Sequence, residues 1–209
     1  MRILIADDHA VVRHGLTDIL GRALPGASFG EAGSGPQALE SLRKGHWDAV
    51  VLDVTMPGRS GLELLKDIKA AYPGLNVLML SMHPEEEYAR RALRAGAAGY
   101  LTKDSASDEL VAAVRRVLDG GRYVSPSLAE ALASDLQAGA ARALHDQLTD
   151  REYEILCLIA SGKSVAQIGK ELSLGLKTIS TYRARVLRKM NMRTDADLIR
   201  YAVENGLIT

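Results

Sequence analysis

Two adjacent carboxylates, Asp7 and Asp8, follow directly on the apolar run Ile3-Leu4-Ile5-Ala6, and a third, Asp53, ends the run Ala49-Val50-Val51-Leu52. Ser81 follows Val77-Leu78-Met79-Leu80, and Lys103 comes shortly after Ala98-Gly99-Tyr100-Leu101. If these runs are neighbouring strands, the charged and hydroxyl groups at their ends meet at one rim. Three carboxylates crowded together repel one another, and at least one must have its pKa raised. A hard divalent cation relieves that repulsion. Mg²⁺ takes oxygen ligands, keeps several waters, and commonly uses one or two carboxylates together with a phosphate. A lysine and a hydroxyl beside the ion can hold a phosphoryl group, whose transfer asks a protein mainly for positioning and charge neutralisation. A carboxylate nucleophile in that field forms an acyl phosphate. The pattern points to phosphoryl transfer with Mg²⁺ as cofactor.

Positioning these groups requires a sheet. Apolar runs at residues 3–6, 27–32, 49–52, 77–80 and 98–101 alternate with periodic segments of helix length at 10–24, 36–45, 62–71, 85–95 and 107–119. Several runs are nearly continuous Val, Ile and Leu, the character of strands buried on both faces of a parallel sheet. Five strand–helix units predict a doubly wound α/β fold with a five-stranded parallel sheet. In the order 2-1-3-4-5, strands one, three, four and five adjoin, and functional groups gather outside their carboxyl ends. Gly120-Gly121 closes this domain, residues 1–121.

Residues 122–145 form an alanine-rich linker, with spacing for a helix over about 126–137 that Gly139 ends. From 146 to 209 the patterns are helical only. Thr149 with Glu152 and Ser164 with Gln167 fit the capping box, Thr194 with Asp197 fits it more loosely, and Gly162 stands where a left-handed residue ends a helix. A short helix at 164–172 and the turn Ser173-Leu174-Gly175 precede a basic segment at 177–193. Its cations are Lys177, Arg183, Arg185, Arg188, Lys189 and Arg193, with no acid among them. Ile179, Val186, Leu187 and Met190 fall at core spacing, while Lys177, Ser180, Thr181, Ala184, Arg185 and Arg188 share the opposite side. This is helix-turn-helix anatomy, whose second helix enters the major groove, and it predicts double-stranded DNA as a partner. A final helix at about 195–205 carries Leu198, Ile199, Ala202 and Val203.

The 209 residues hold 26 basic and 26 acidic side chains, so any attraction to nucleic acid must be local. A single cysteine, Cys157, excludes an internal disulfide and a cysteine-rich metal site and suits a reducing compartment. No secretory signal pattern and no apolar stretch near the ~20 residues of a membrane span is present, so a cytoplasmic location without membrane contact is expected.

The set Asp7-Asp8, Asp53 with Met56-Pro57, Ser81 and Gly99-Tyr100-Leu101-Thr102-Lys103 resembles the receiver domain of two-component response regulators. Leu148-Thr149-Asp150-Arg151-Glu152, Ile155-Leu156, Gly162, Ile168, Leu172, Lys177-Thr178-Ile179 and Arg188-Lys189-Met190 resemble the LuxR-type DNA-binding domain, and the combination is similar to the NarL/FixJ class. The resemblance implies a flavodoxin-like receiver followed by an all-α helix-turn-helix domain. It implies Asp53 as phosphoacceptor, a sensor histidine kinase as donor, and no turnover of an external substrate. Asp8, Asp53 and the Thr55 backbone carbonyl would hold Mg²⁺, with Asp7 assisting through water. Lys103 would contact the phosphoryl group, and Ser81 and Tyr100 would form a switch pair in which Tyr100 rotates inward.

On the DNA side the resemblance places Ser180, Thr181 and Ala184 nearest the base edges. Lys177, Arg183, Arg185 and Lys189 go to phosphates, Tyr182 lies beside the backbone, and Thr178 and Arg188 complete the set. A homodimer formed on phosphorylation would bind two half-sites, with the final helix either pairing two domains or packing on its own core. Gly175 replaces the usual serine cap, and Gly169 replaces a common alanine at up to ~1 kcal/mol of helix propensity. Asp104 stands where proline is common. Thr55 and His83 border the path of incoming water, although His83 reads equally as an exposed loop imidazole. His9, His14, His46 and His145 lack ligand spacing and read as structural or surface groups. Two rivals remain: a metal-dependent phosphohydrolase, many of which need a second acid where this chain has Thr55, and a regulator whose receiver serves only for dimerisation.

Overall fold

The computed structural model describes residues 1–82, 85–126, 128–130, 133 and 143–208, with residues 85–87 and 106–108 described by backbone alone. His83, Gly139 and most of the helix expected at 126–137 lie outside the described residues. The chain divides into two compact units, Met1–Ala133 and Ser134–Thr209.

In the first unit the strands are β1 (Arg2–Ala6), β2 (Ser28–Ala32), β3 (Ala49–Asp53), β4 (Asn76–Ser81) and β5 (Gly99–Thr102). Helices α1 (Ala10–Ala23), α2 (Gly35–Lys44), α3 (Gly61–Ala71), α4 (Glu85–Arg94) and α5 (Ala106–Leu118) alternate with them. All ten agree with the apolar runs and helical segments of the sequence to within one residue. The sheet is parallel in the order β2-β1-β3-β4-β5. Helix starts are set locally: the Ser34 side chain accepts from Gln37 N–H, and the Ser60 side chain accepts from Leu62 N–H.

Alternation along the strands turns Ile3, Ile5, Val51, Leu78, Leu80 and Leu101 to one face, where they pack with Leu16 and Leu20 of α1 and Leu110, Val114 and Val117 of α5. Leu4, Val50 and Leu52 point the other way and are also fully buried. A sheet covered on both faces leaves only its strand ends for chemistry.

The register aligns those ends. Ala6 pairs with Leu52, Asp53 with Leu80 and Ser81 with Thr102. Val54 N–H donates to Leu80 O at 2.9 Å and Lys103 N–H to Ser81 O at 2.7 Å, so each chain is still held one residue beyond its strand.

The second unit begins with a 3₁₀ turn, Leu144–Gln147, followed by α6 (Asp150–Ala160), α7 (Val165–Glu171), α8 (Leu176–Lys189) and α9 (Asp195–Glu204). Full capping boxes open α6, α7 and α9, including the Thr194–Asp197 pair that looked incomplete in the sequence. Gly162 is left-handed, with φ of 80°, as its position predicted. Leu156, Ile168, Leu172, Ile179, Val186, Met190, Leu198 and Ala202 are buried.

The turn between α7 and α8 places Gly175 at the cap of α8, as the sequence predicted. Its left-handed residue is Ser173, with φ of 53°, while Gly175 is extended. Gly169 is there for contact: Leu174 N–H donates to its carbonyl at 2.8 Å, and a Cβ on Gly169 would lie 2.8 Å from Leu174 O. The alanine that helix propensity favours would crowd the turn.

Candidate functional site

At the aligned ends of β1, β3 and β5, Lys103 Nζ lies 2.8 Å from Asp53 Oδ2 and 2.7 Å from Asp7 Oδ2. The contact with Asp53 is an aligned hydrogen bond; that with Asp7 is an ion pair without such alignment. Asp7 and Asp53 are almost fully buried, at 1% and 2% exposure. Asp7 is fixed further because its Oδ1 accepts from His9 N–H at 2.7 Å and its carbonyl accepts from Arg13 Nη1 at 2.7 Å. Thr55 N–H donates to Asp53 Oδ1 at 3.3 Å.

Burial pushes the Asp53 carboxyl up to about 6, and the Asp7 charge adds to the rise against the pull of Lys103 and the Thr55 N–H. Burial works against the Lys103 ammonium, but the Asp53 and Asp7 carboxylates outweigh it and hold its pKa above the ordinary value. One lysine does not balance the acids around it.

Asp7, Asp8, Asp53 and His9 each offer a ligand atom, and these atoms all lie within 4.8 Å of one another. The carboxylate set and the upward shift of Asp53 fit a small oxygen-seeking cation such as Mg²⁺. His9 carries no role in the sequence reading, yet its Nδ1 lies 2.8 Å from Asp8 Oδ1 and 3.3 Å from Asp7 Oδ1, so the imidazole borders the cluster. A lone histidine at a helix N-cap has no spacing signal that would reveal this.

Ser81 and Tyr100 are both fully buried. The Tyr100 ring is therefore within the fold in this structure. Tyr100 pairs with Met79 across β5 and β4.

In the second unit Lys177, Thr178, Ser180, Thr181, Ala184, Arg185 and Arg188 are exposed on α8, and Tyr182 is half-buried with the Arg185 guanidinium 5.8 Å from its ring centre. Thr181 Oγ1 donates back to Lys177 O at 2.8 Å. Leu187, read as core, is only half-buried.

Two of the cations predicted to meet phosphate already have acid partners in their own unit. Arg183 Nε donates to Asp195 Oδ1 at 2.7 Å, and Lys189 Nζ to Glu152 Oε2 at 2.6 Å. The acids come from α9 and α6, so a search of the basic segment alone could not find them. The apolar stripe of α9 also divides. Leu198 and Ala202 are buried, whereas Ile199 and Val203 stand 37% and 61% exposed.

Lys189 acts as a clamp. Glu152 is buried and accepts from Thr149 N–H at 2.9 Å in its capping box, while Gln147 Nε2 donates to Lys189 O at 2.5 Å. Burial opposes the charge on Glu152, but the Lys189 ammonium and Thr149 N–H hold its pKa below the ordinary value. That stabilisation is present at neutral pH and is lost as pH falls through the depressed pKa. Lys189→Met should therefore lower the unfolding free energy at pH 7 by about 1–2 kcal/mol, and the deficit should shrink on acidification. Urea titrations at the two pH values check this; equal stability at pH 7 removes the clamp.

Residues 3–115 match the response regulator receiver domain family, and residues 146–202 match the bacterial regulatory proteins of the luxR family. Response regulator GacA of Pseudomonas viridiflava is 36% identical over 209 residues, which is 100% of this chain and 98% of that protein. Response regulator UvrY of Escherichia coli K12 is 34% identical over 208 residues, covering 99% and 95%. RcsB of Salmonella enterica serovar Typhimurium, solved bound to promoter rprA with the phosphomimetic BeF3-, has a TM-score of 0.66 at 27% identity, covering 96% and 97%. Among the described residues no helix is long and apolar enough to cross a membrane. With an acidic cleft at the strand ends of one unit and a basic helix of the helix-turn-helix type in the other, the chain belongs to the NarL/FixJ-type response regulators, transcriptional regulators of two-component systems that join a receiver to a LuxR-type DNA-binding domain.

Proposed function

We propose that Asp53 accepts a phosphoryl group from a sensor histidine kinase and that this controls DNA binding by a homodimer in the cytoplasm. The receiver would span 1–121, the linker 122–145 and the DNA-binding domain 146–209. The observation that carries the reading is the Asp7–Lys103–Asp53 bridge, which holds a buried carboxylate and an ammonium at one strand rim.

In the transfer an Asp53 oxygen attacks the phosphorus of a phosphohistidine. The phosphorus–nitrogen bond breaks, and the leaving imidazole keeps the electron pair and takes up a proton. Asp53 must be ionised to attack; burial opposes that charge, and a bound Mg²⁺ would favour it. Asp8, Asp53 and the Thr55 carbonyl would hold Mg²⁺, with Asp7 acting through water; the ion supplies positive charge to the phosphoryl oxygens. Lys103 exchanges its bond with Asp53 for one with the incoming phosphoryl group while keeping Asp7. The Ser81 hydroxyl would bond to the phosphoryl group, holding the arrangement in which Tyr100 is inward. Phosphorylation thereby favours one of two states and adds no new chemistry at the DNA.

Lys177, Arg183, Arg185 and Arg188 would meet phosphates, and Ser180, Thr181 and Ala184 the base edges. The exposed Ile199 and Val203 of α9 suit pairing with a second copy, and a dimer would read two half-sites. The RcsB complex, with DNA and a phosphomimetic together, supports this coupling.

Incubation with Mg²⁺ and acetyl phosphate tests the receiver. An acid-stable, base-labile adduct is expected in the wild type and not in Asp53→Asn. No adduct sinks the reading, and sustained turnover of a free phosphate ester supports a phosphohydrolase instead. Selection of duplexes from a random pool, with and without phosphodonor, tests the second unit. With ~8 phosphate contacts per dimer, log K should fall with log salt at a slope near −7.

A further inference from the structure

The cations of α8 are unevenly placed. With ~100° between successive residues of a helix, Lys177, Ser180, Ala184 and Arg188 centre one face. Arg185 and Lys189 lie round one flank, and Arg183 alone among the helix's basic residues lies on the other. A helix seated in a major groove has a phosphate strand along each side. Among the basic residues of α8, Arg183 is therefore the one on the flank toward α9. That residue is paired to Asp195, in the first turn of α9, through Nε at 2.7 Å.

We infer that Asp195 is a positioning residue for DNA binding: it holds the Arg183 guanidinium by Nε and presents the terminal amino groups to a backbone phosphate. The inference rests on the DNA-binding reading above. A guanidinium forks, so a carboxylate on Nε does not consume the two terminal amino groups that a phosphate takes in a bidentate contact. The pair is partly exposed, 35% for Arg183 and 42% for Asp195, so a phosphate can approach it. At the start of α9 the Asp195 charge is also favoured by the free N–H groups of the first turn. A fixed carboxylate spares the DNA complex the cost of freezing a long side chain, worth roughly threefold to tenfold in affinity per subunit.

The sign of one substitution decides the matter. Asp195 is an acid beside a polyanion, so general electrostatics predicts that Asp195→Asn tightens binding. Positioning predicts that it weakens binding. The full-length protein, treated with Mg²⁺ and acetyl phosphate, is titrated by fluorescence anisotropy onto a duplex recovered by selection, at salt concentrations from about 50 to 200 mM KCl. Asp195→Asn should weaken binding about threefold to tenfold per subunit, and Asp195→Glu should restore most of it. Arg183→Gln should weaken binding and flatten the salt slope by about 0.9 per subunit. In the Arg183→Gln background, Asp195→Asn should have no further weakening effect.

Unchanged or tighter binding by Asp195→Asn overturns the inference, as does a weakening that persists without Arg183. If Asp195→Asn does not fold, Arg183→Lys decides: it keeps the charge but has no fork, so positioning predicts a preserved slope with weaker affinity, and wild-type affinity overturns it. Wild-type protein that binds no duplex in a salt-dependent way fails the DNA-binding reading itself, and this inference with it. A wild type that binds, with no coupling between the two residues, fails the inference alone.

Discussion

Asp53→Asn is expected to make the metal-free protein more stable at pH 7, by an amount approaching ~3 kcal/mol. The Asp53 carboxyl has a pKa of about 6 in the fold against an ordinary 3.8, because burial and the Asp7 charge disfavour its ionised form. The folded state therefore holds this proton more tightly than the unfolded chain does. Between about pH 4 and 6 the unfolded chain loses the proton first, so unfolding becomes easier as pH rises, and above about pH 6 the whole deficit is present. At roughly 1.4 kcal/mol per pH unit, the gap between the two values corresponds to ~3 kcal/mol. Asparagine removes the charge, keeps the shape, and leaves Lys103 its Asp7 partner at 2.7 Å. Urea unfolding of the full chain in EDTA should show the gain at pH 7 and its disappearance near pH 4. Mg²⁺ should narrow the gap by stabilising the wild type more than the variant. A variant less stable than wild type at pH 7, or a gain indifferent to pH, refutes the account of the cleft.

That penalty also explains which parts of the site were legible in the sequence. Asp7, Asp53, Ser81 and Lys103 announce themselves because each follows an apolar run, and a parallel sheet aligns the ends of such runs. Local patterns likewise fixed the helix starts at Thr149 and Ser164, since capping involves residues three apart. What escaped is what depends on separate elements meeting. The pairing of Lys189 with Glu152 joins residues 37 apart, and no window along α8 contains the acid. The Arg183–Asp195 pair spans 12 residues and crosses a turn, so an apparently unopposed basic segment contains two cations with acid partners. Periodicity placed Ile199 and Val203 beside Leu198 and Ala202, but a single helix neighbour covers only part of an apolar face, and the first two are left outside.

Gly61→Ala should be among the most damaging single substitutions in the chain, although helix propensity predicts the opposite sign. Gly61 opens α3, and alanine is favoured over glycine inside a helix by about 1 kcal/mol. A Cβ on Gly61, however, would lie 2.0 Å from the Asp53 carbonyl oxygen and 2.8 Å from Val54 Cα. Both are backbone atoms, so no side chain can rotate away. Nor can either segment shift cheaply. Gly61 N–H donates to Val54 O at 2.7 Å, Val54 N–H is bonded to Leu80 O, and α3 is anchored by the buried Leu62, Leu64, Leu65 and Ile68. Overpacking of this kind costs ~1–3 kcal/mol where side chains can yield, and here the upper end or more is expected. The crowded carbonyl belongs to Asp53, the proposed phosphoacceptor, so the damage is also chemical. Displacing Asp53 from its 2.8 Å contact with Lys103 should slow labelling by acetyl phosphate, by up to ~100-fold for a shift near ~1 Å. Gly15→Ala is the control. Gly15 lies within α1, and a Cβ there would meet nothing within 4 Å, so the same substitution should stabilise by ~0.5–1 kcal/mol and leave labelling unchanged. Urea unfolding should therefore move the two variants in opposite directions relative to wild type, and only Gly61→Ala should lose the adduct. A Gly61→Ala protein as stable and as readily labelled as the wild type contradicts the close approach of α3 to the end of β3.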